Sequence, residues 1–427
     1  AEGYGISEAG IVWAEANQFS LIIALDLGIK ASDMVGLANH KGIDFIICDH
    51  HLPDKKIPQA VAVLDPKQDD CNYPFKELSG CGIGFKLMQA YAKKYGDEKT
   101  VYDYLDLVAV SIASDIVPIN GENRILATFG LKKLNESPRP GLKALKDIAN
   151  IKSDLDISGI VFTLGPRINA AGRVAHARGA VQLLISKTEE DANSFAEKIN
   201  VKNDERREFD LNITEEALAM ISSNETLQKA KSTVLFKNSW HKGVIGIVAA
   251  RCIEHYYRPT VILTESNDKI TGSARSVNGF DLYQAIEQCG DLLEKFGGHK
   301  YAAGLTLDRV NLPAFQQRFE EVVAASITDE MLTPVVEIDV PINFDMFTQK
   351  FLNILKSEDA PREFAPGLLP RAAKPQGTAR GMRGVVFRGT EAPDQFGQPG
   401  GGGQAGHGPG ARRAGARVVT LIAGMSV

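Results

Sequence analysis

Two imidazoles and a carboxylate stand together where an apolar stretch of this sequence ends. Asp49, His50 and His51 directly follow the run Asp44-Phe45-Ile46-Ile47-Cys48, which has the composition of a buried strand. In open α/β sheets, ligands bind at the carboxyl ends of the strands. These side chains could therefore hold a metal ion or carry protons, although the tripeptide alone is equally compatible with a polar turn that caps a strand.

Further carboxylates follow other apolar segments of the first 120 residues. Asp26 ends the run 21–25, Asp65 ends the run 61–64, and Asp115 follows the helical segment 105–113. Taken singly, Asp26 could cap a strand and Asp115 could belong to a turn before a proline. Carboxylates with a minority of histidines suit Mg²⁺ or Mn²⁺ better than zinc or copper. Two such ions close together can activate water and stabilise a leaving oxygen in phosphodiester hydrolysis.

A second set of residues could bind an anion. Gly297–Gly304 begins with paired glycines, which allow close backbone approach, and its later residues are compatible with a helix N-terminus that binds phosphate. Segment 240–246 opens a helix after a strand, segment 273–276 ends another strand, and segment 165–173 is predicted to be a loop with two arginines. Together these segments could form a groove for a polyanionic backbone, although any single arginine is as readily a solvated surface residue.

The elements that must position these residues alternate between strands and helices. Helical character over 32–40 predicts the crossover of a βαβ unit between the first two strands, followed by a third strand after a short Pro-containing connection. Residues 189–222 carry one long amphipathic pattern with a charged middle, which favours a bridge between domains. Strands over 233–236, 260–263 and 270–274, with a helix over 246–256, predict a second α/β domain.

Composition and charge limit the classes of protein and the compartment. The 427 residues are 44% hydrophobic, contain no apolar run of transmembrane length, and do not begin like a signal peptide. Five cysteines without CxxC spacing indicate a reducing compartment, with cytoplasm as the expectation. A net charge of −5 disfavours a protein that coats nucleic acid but permits a local basic groove.

The last 67 residues differ in composition from the rest. They hold 15 of the 40 glycines, and arginine outnumbers lysine eight to one, whereas lysine leads 27 to 12 before them. A flexible, low-complexity tail is one interpretation. The inverted Lys/Arg usage favours another hypothesis, an out-of-frame or fused sequence from about residue 366 onward.

Taken together and in order, these motifs resemble the DHH phosphoesterase superfamily, and within it the bacterial single-strand-specific 5′→3′ DNA exonucleases. The resemblance rests on 26–28, 49–51, 114–118, 165–173, 241–246, 273–276 and 297–304. It implies an α/β fold with a Rossmann-like, mostly parallel DHH domain (1–186), a connecting helix (187–224) and a second α/β domain of the DHHA1 type (225–328). An OB-type β-barrel would begin in 329–365, and 366–427 would be the aberrant tail.

The resemblance also implies roles for individual residues and a cofactor. Asp26 would bridge two Mn²⁺ or Mg²⁺ ions, His50 and Asp115 would be metal ligands, and Asp49 and His51 would orient ligands or assist proton transfer. The residues expected to hold phosphates and the DNA strand are Arg167, Asn169, Arg173, His241, Ser273, Arg275, Gly297, Gly298 and His299.

The implied function is 5′→3′ hydrolysis of single-stranded DNA in repair and recombination. A RecQ-type helicase and a single-strand-binding protein are the implied partners. The family's first motif, a histidine and two aspartates upstream of Asp26, is not found in the sequence, and we expect the chain to begin in the segment after it. Two alternatives remain: a phosphodiesterase of short oligonucleotides or cyclic dinucleotides from the same superfamily, and, because the first motif is absent, a catalytically silent nucleic-acid-binding relative.

Overall fold

The structure, a computed structural model, describes residues 5–174, 177–336, 344–346 and 348–351, and the backbone of 418–422. The strands are β1 (Leu21–Leu25), β2 (Asp44–Cys48), β3 (Ala62–Leu64), β4 (Thr233–Phe236), β5 (Thr260–Ser266), β6 (Lys269–Arg275), β7 (Lys295–His299), β8 (Ala302–Leu307) and β9 (Val418–Ile422).

The helices fall into three groups along the chain. Those before the long helix are α1 (Glu8–Ala16), α2 (Ser32–His40), α3 (Gly80–Tyr95), α4 (Leu105–Ser114), α5 (Gly121–Glu136), α6 (Pro140–Ile148), α7 (Ile157–Gly159), α8 (Gly165–Val174) and α9 (Arg178–Ile185). The long helix is α10 (Glu189–Ser222), and after it come α11 (Glu225–Lys229), α12 (Ile245–His255), α13 (Leu282–Glu287) and α14 (Leu312–Ser326).

The first sheet is parallel and carries the strand ends predicted to form the site. Its order is β3-β2-β1-β9, and β1 pairs with β2 in the register Leu25↔Cys48. The crossover between them is α2, with the predicted bounds, and Phe45 and Ile47 of β2 are fully buried. The predicted Rossmann-like arrangement is therefore confirmed, because apolar strands covered on both faces pair in parallel through helical crossovers.

Strand β9 lies within the segment that composition assigned to an aberrant tail. Val418–Ile422 pairs in parallel with β1 along its whole length. The run Val-Val-Thr-Leu-Ile is rich in β-branched residues, and it covers an edge of β1 that β2 does not reach. The glycine content concealed this short strand. Residues 366–417 and 423–427 lie outside the described residues.

A helical layer packs beside this sheet and positions Asp115. Almost all of α4 is buried, and its C-cap is Asp115. The helices α7 and α8 are joined without a break by a π-helical turn, Ile160–Leu164, in which Ile160 and Leu164 are fully buried. Turns of this kind are rare and occur often at functional sites.

Helix α10 is the predicted bridge between two hydrophobic cores. Ala192, Ala196 and Ile199 pack in the core of the preceding helices, whereas Ile213 and Ala217 pack in the core formed with α12. Its buried middle is polar: Asp210 is 1% exposed and accepts two hydrogen bonds from Arg251 on α12, each of 2.8 Å. The charged middle of the amphipathic pattern is therefore the part of the helix that passes from one hydrophobic core to the other.

The second sheet has the order β4-β5-β6-β8-β7, with β4 and β5 parallel and the other pairs antiparallel. Its core includes the stacked rings of Phe315 and Phe319 on α14, 5.8 Å apart. The predicted strands and the predicted helix of this second α/β domain are all present, with β5 and β6 slightly longer than expected.

Three other sequence predictions concern the OB-type barrel, the cysteines and membrane spans. Residues 334–336 have no regular structure, and most of the segment expected to begin an OB-type barrel (337–343 and 352–365) lies outside the described residues. All five cysteines are free. Within the described part of the chain, no helix is both long enough and apolar enough to cross a membrane.

Candidate active site

Asp26 and Asp49 emerge side by side because β1 and β2 end in register. The amide of Asp26 donates to the carbonyl of Cys48 over 2.8 Å, and Asp26 itself has φ of 67°. Aspartate is among the few residues that adopt this left-handed conformation readily. The sharp turn after β1 therefore brings the carboxylate back over the end of the sheet.

The first turn of α3 lies directly against Asp26. A Cβ atom at Gly80 would stand 2.2 Å from Asp26 Oδ1 and 2.5 Å from its Cβ, so only glycine leaves room for the carboxylate. Ser79 caps the helix by accepting a hydrogen bond of 3.1 Å from the amide of Gly82. The position of Asp26 thus depends on a helix that the chain reaches more than fifty residues later.

His50 lies between two carboxylates. Its Nε2 is 3.1 Å from Asp26 Oδ1 and 3.2 Å from Asp115 Oδ2, and the residue is 8% exposed. Neither ring nitrogen of His50 meets the geometry of a hydrogen bond with any described residue. A buried imidazole that faces carboxylate oxygens without well-directed hydrogen bonds fits a shared metal ligand, since buried polar atoms are otherwise almost always paired.

The electrostatics of this cluster reflect an excess of negative charge in a buried place. Burial would lower the pKa of His50, but the carboxylates of Asp26 and Asp115 outweigh it and raise the pKa. Burial also raises the pKa of Asp115, and the charge of Asp26 adds to that effect. A divalent cation would remove both perturbations, because it compensates the carboxylates that share the site.

Asp49 is held as a carboxylate and orients His51. Its Oδ1 accepts hydrogen bonds from the amides of His50 (2.8 Å) and His51 (3.2 Å) and lies 2.7 Å from His51 Nδ1, while Oδ2 accepts from the amide of Ile29. Burial would raise the pKa of Asp49, but these hydrogen bonds, above all that of His51, lower it overall. With Nδ1 donating to Asp49, the Nε2 of His51 is left as the proton-accepting atom of the ring.

The donor set can accommodate a hard divalent cation. Ligand atoms of Asp26, His50 and His51 all lie within 4.8 Å of one another, and Asp115 adds an oxygen beside His50. The described residues of this cluster offer oxygen and imidazole donors without thiolate, as Mn²⁺ and Mg²⁺ prefer. His51, predicted to act on protons and not as a ligand, thus also lies within reach of an ion.

Asp65 is a buried carboxyl beside this cluster that the sequence prediction did not include among the site residues. It follows β3, is 2% exposed, and accepts a hydrogen bond from the amide of Lys67, but its Oδ2 has no partner among the described residues. Burial, with a smaller contribution from the charge of Asp49, raises its pKa to about 6. The signal was present in the sequence, since Asp65 ends the third apolar strand as Asp26 and Asp49 end the first two.

The glycine-rich segment reaches this site from the second domain as a hairpin. Gly297–His299 belongs to β7 and Ala302–Gly304 to β8, so the helix start considered for this segment is wrong. A Cβ atom at Gly298 would stand 2.3 Å from the carbonyl oxygen of Ala302, so the close pairing of the two strands requires glycine. The ring of His299 stacks on that of His51, with centroids 6.4 Å apart and planes within 12°.

A second cluster, which we call the arginine cluster, consists of Arg173, Ser273 and Arg275. Arg275 Nη1 donates to Ser273 Oγ over 3.1 Å and to the carbonyl of Ala274, and Arg173 Nη1 donates to the carbonyl of Gly243. Burial lowers the pKa of both guanidinium groups, and the charge of Arg275 lowers that of Arg173 further. Burying two cations side by side has a cost that an anion would offset.

Glycines bring the two domains together at this cluster. A Cβ atom at Gly246, in the first turn of α12, would stand 2.8 Å from Ser273 Oγ and 3.0 Å from Arg275 Nη2. At Gly243 it would stand 2.1 Å from the carbonyl oxygen of Arg173, which belongs to the other domain. The pairing of Arg173 with Arg275 thus follows from close backbone contact between α8 and the start of α12.

The segment predicted to be a loop with two arginines is helix α8. Proline is tolerated in a first helical turn, and Ile168, Ala170 and Ala171 are buried in the helical core, which stabilises the helix. As a result its polar residues point in different directions. Arg173 joins the arginine cluster, whereas Arg167 donates to Thr163 O and to Asn200 Oδ1 on α10.

The two remaining predicted site residues lie near the arginine cluster. Asn169 is 9% exposed, and its Oδ1 has no hydrogen-bond partner among the described residues. His241 accepts a hydrogen bond of 3.1 Å at Nδ1 from the amide of Gly243 and stacks on Phe209 of α10, with ring centroids 5.0 Å apart. Phe209 is a neighbour that no sequence motif singled out.

Comparison with known proteins gives the same two domains. Residues 5–112 match the DHH family, N-terminal domain, and residues 229–325 match the DHHA1 domain. The chain is 39% identical over 342 residues to the single-stranded-DNA-specific exonuclease RecJ of Bacillus subtilis, covering 79% of this chain and 43% of that protein. It is 34% identical over 377 residues to RecJ of Escherichia coli, covering 83% of this chain and 65% of that protein.

A solved structure shows the same architecture. The crystal structure of RecJ in complex with Mn²⁺ from Thermus thermophilus superposes with a TM-score of 0.68 at 28% identity, over 75% of this chain and 47% of that one. The chain spans less than two thirds of the length of the curated relatives described above. It carries a DHH domain and a DHHA1 domain, arranged as in the Thermus thermophilus RecJ structure that it resembles.

Proposed function

We propose that this chain is the core of a metal-dependent exonuclease that hydrolyses single-stranded DNA in the 5′→3′ direction, in DNA repair and recombination. The observation that carries the proposal is the buried His50 imidazole between Asp26 and Asp115, together with a second cluster of opposite charge that contains Arg173 and Arg275. The curated relatives are named single-stranded-DNA-specific exonucleases, and related RecJ structures were solved with Mn²⁺ and with Mg²⁺.

Asp26, His50 and Asp115 are the residues that would hold the metal, with Asp26 as the bridging carboxylate of a two-ion site. The imidazole nitrogen lies within about 3 Å of both carboxylates, so the three side chains can reach one ion together. When bound, Mn²⁺ or Mg²⁺ ions supply Lewis-acid stabilisation of the phosphodiester oxygens and favour ionisation of an attacking water.

Asp49 and His51 would handle the proton and the orientation of the site. Asp49 fixes the ring of His51 through Nδ1, so that Nε2 can accept a proton from water or return it to the leaving oxygen. The ring of His299, from the second domain, stacks on that of His51 and would help to hold it in place. A negatively charged Asp49 also stabilises the imidazolium that forms when His51 takes the proton.

The arginine cluster would hold the phosphates of the strand, together with Asn169, His241 and the hairpin glycines Gly297 and Gly298. Guanidinium groups match phosphate oxygens in geometry, and contacts to the backbone carry no sequence preference. Arg167 would act differently, by fixing α8 against α10, since its hydrogen bonds go to Thr163 and Asn200. Single-stranded DNA is thus the primary partner, with a RecQ-type helicase and a single-strand-binding protein as further partners in the cytoplasm.

A nuclease assay with defined substrates tests this proposal. The chain is incubated with Mn²⁺ and either a 5′-labelled single strand, the same strand in a duplex, or a dinucleotide. We expect release of label from the single strand only, and its loss in His50→Ala but not in His40→Ala, an exposed histidine of α2. Preference for the dinucleotide would replace the polymer substrate with a small one, and binding of the strand without cleavage would overturn the enzymatic proposal.

A further inference from the structure

Lys67 is a partly buried lysine beside the proposed metal site, and the mechanism proposed above gives it no role. It follows β3 in the connection that leads to α3, and 23% of its side chain is exposed. Its backbone amide donates to Asp65 Oδ1 over 2.8 Å. The end of β3 lies beside the end of β2, where the amide of Asp49 donates to the carbonyl of Leu64. The backbone of Lys67 therefore lies next to the edge of the sheet that carries the metal site.

The side chain of Lys67 extends from the end of β3 toward the start of α3. Its Nζ is 3.5 Å from Glu77 Oε2, and Glu77 stands three residues before Gly80, which lies against Asp26. The side chain thus joins two segments that both border the metal site. A partly exposed ion pair of this length adds little to the stability of the fold, so the ammonium group can leave Glu77 at a small cost.

The charge of Lys67 acts on groups of both domains. Burial and, to a smaller extent, this charge lower the pKa of His50, although the neighbouring carboxylates outweigh them. Burial raises the pKa of Asp115, and Lys67 is one of the cations that oppose this rise. Burial lowers the pKa of His299 in the second domain, and nearby positive charges, Lys67 among them, lower it further. The ammonium group therefore lies close to the space between the domains, where a substrate phosphate would approach the metal site.

A cation in this position opposes the binding of a metal ion and favours the binding of an anion. The ammonium group repels a divalent ion in the adjacent cluster, so Lys67 weakens the metal site of the free protein. A phosphate group in the same place attracts both positive charges and offsets that repulsion. Lysine suits such a role, because its ammonium group is a compact charge on a flexible stem that can move from one oxygen to another.

Building on the function proposed above, we propose that Lys67 is a further substrate-binding residue, whose ammonium group exchanges Glu77 for a non-bridging oxygen of the scissile phosphate. Glu77 holds the ammonium group while no substrate is bound. The positive charge then stays close to the oxygens that gain negative charge during hydrolysis, which stabilises the transition state. The arginine cluster requires both domains, whereas this contact comes from the DHH domain alone.

Two binding measurements on the full chain test this role, because a charge in this position acts oppositely on a cation and on an anion. In Lys67→Met, the affinity for Mn²⁺ without DNA, measured by titration calorimetry, should rise about threefold or more, since a repelling charge is removed. The affinity for a short single-stranded DNA, measured by fluorescence anisotropy with Ca²⁺ in place of Mn²⁺, should fall about 10-fold or more, since a hydrogen bond from a charged donor is lost. A lysine with only a structural role would lower both affinities or neither.

Matched variants separate the charge from the rest of the side chain. Lys67→Arg keeps the charge and should retain most of the affinity for DNA. Lys76→Met removes a lysine of the same connection, whose ammonium group donates to the carbonyl of Cys71, and should change neither affinity. Glu77→Gln should act in the opposite direction to Lys67→Met, with weaker binding of Mn²⁺ and tighter binding of DNA, because it releases the ammonium group toward the site.

Any result for Lys67→Met other than tighter binding of Mn²⁺ with weaker binding of DNA would overturn the inference. The proposed nuclease activity can fail separately. If the two affinities change in opposite directions but the unaltered chain cleaves no DNA, the role of Lys67 in binding stands and the activity falls. If DNA is cleaved while Lys67→Met cleaves and binds it like the unaltered chain, the activity stands and the role of Lys67 falls. An unaltered chain that binds no Mn²⁺ would overturn both.

Discussion

The cluster at the strand ends and the arginine cluster are built on opposite principles. In the first, two carboxylates surround one imidazole at the end of a parallel sheet, and all three side chains come from a single domain. In the second, guanidinium groups from two domains are brought together by backbone contacts at glycines. Each cluster concentrates one sign of charge in a partly buried place, which destabilises the free protein and favours a ligand of the opposite charge.

The difference shows which part of a site depends on local structure and which depends on domain contact. Asp26 and Asp49 are adjacent because two neighbouring strands end in register, and no interdomain contact is needed for that. The pairing of Arg173 with Arg275 requires α8, β6 and α12 to meet, with Gly243 and Gly246 at the points of closest approach. Substitutions should therefore affect the two clusters independently.

The largest effect is expected from removal of the central imidazole. In His50→Ala, Mn²⁺ affinity measured by titration calorimetry should fall by more than about 100-fold, because losing a ligand costs more than losing a supporting partner. His40→Ala should leave it unchanged. Undiminished Mn²⁺ binding in His50→Ala would place the ion elsewhere and remove the basis for the strand-end site.

The corresponding change in the arginine cluster should leave the affinity for Mn²⁺ unchanged and weaken the binding of single-stranded DNA. Arg275→Met removes the proposed hydrogen bonds from this guanidinium group to a phosphate. A hydrogen bond from a charged donor is worth about 1.5–3 kcal/mol, so affinity for single-stranded DNA should fall about 10-fold or more. Arg309→Met removes an exposed arginine of the same domain that pairs with Glu265, and should have little effect. Fluorescence anisotropy measures the affinity for the strand, and equal losses in both variants would argue against a specific cluster.

A substitution of glycine tests the strand-end cluster separately from the arginine cluster, because it displaces a ligand without replacing it. In Gly80→Ala the new methyl group collides with Asp26, and we expect about 1–3 kcal/mol of destabilisation together with weaker Mn²⁺ binding. Gly36→Ala on α2 has open space around the new methyl group and should be neutral or slightly stabilising. Urea unfolding and calorimetry of both variants test this, and normal Mn²⁺ affinity in Gly80→Ala would show that Asp26 tolerates displacement.

The smallest expected effect concerns Asp65 and pH. Its folded pKa of about 6 lies above the ordinary value of 3.8, so the folded state binds this proton more tightly than the unfolded state. The associated stability is present below about pH 4 and is lost as the pH rises through 6. The free energy of unfolding of Asp65→Asn, compared with that of the unaltered chain, should therefore rise by about 1–2 kcal/mol as the pH goes from 4 to 8.

Urea unfolding in EDTA at the two pH values measures that difference. Asp70→Asn, at an exposed position just beyond, is the matched control and should show no pH-dependent gain. A gain that is the same at pH 4 and pH 8 would mean that the substitution acts through packing and not through the buried proton.

Much of the strand-end cluster could be predicted from the sequence because its signals are local. Apolar runs that end in Asp26 and Asp49, and the helical periodicity of α2 and α10, specify these elements without long-range information. Asp65 carried the same signal but was left out of the predicted site, because no resemblance assigned it a role.

The second domain was predicted less well where distant pairing decides the conformation. Paired glycines at 297 and 298 are compatible with a helix start or with a hairpin, and only the pairing of β7 with β8 selects the hairpin. In the first domain, Gly165 and Pro166 suggested a loop, yet burial of Ile168 and Ala171 against other helices stabilises α8. The π-helical turn that contains Phe162 had no sequence signal, because a turn of this kind depends on tertiary packing.

The length of α10 has a consequence for how this architecture can change during evolution. Its 34 residues form a rod about 50 Å long whose two halves belong to different hydrophobic cores. Inserting one residue in its middle would rotate one core relative to the other by about 100° and separate Arg173 from Arg275. An insertion of about seven residues would nearly restore the phase, leaving an offset of about 20°, but it would also lengthen the rod by about 10 Å. Because Gly243 packs directly against Arg173, such a shift would break the contact between the domains as well. Relatives that keep both clusters should therefore keep the length of this helix.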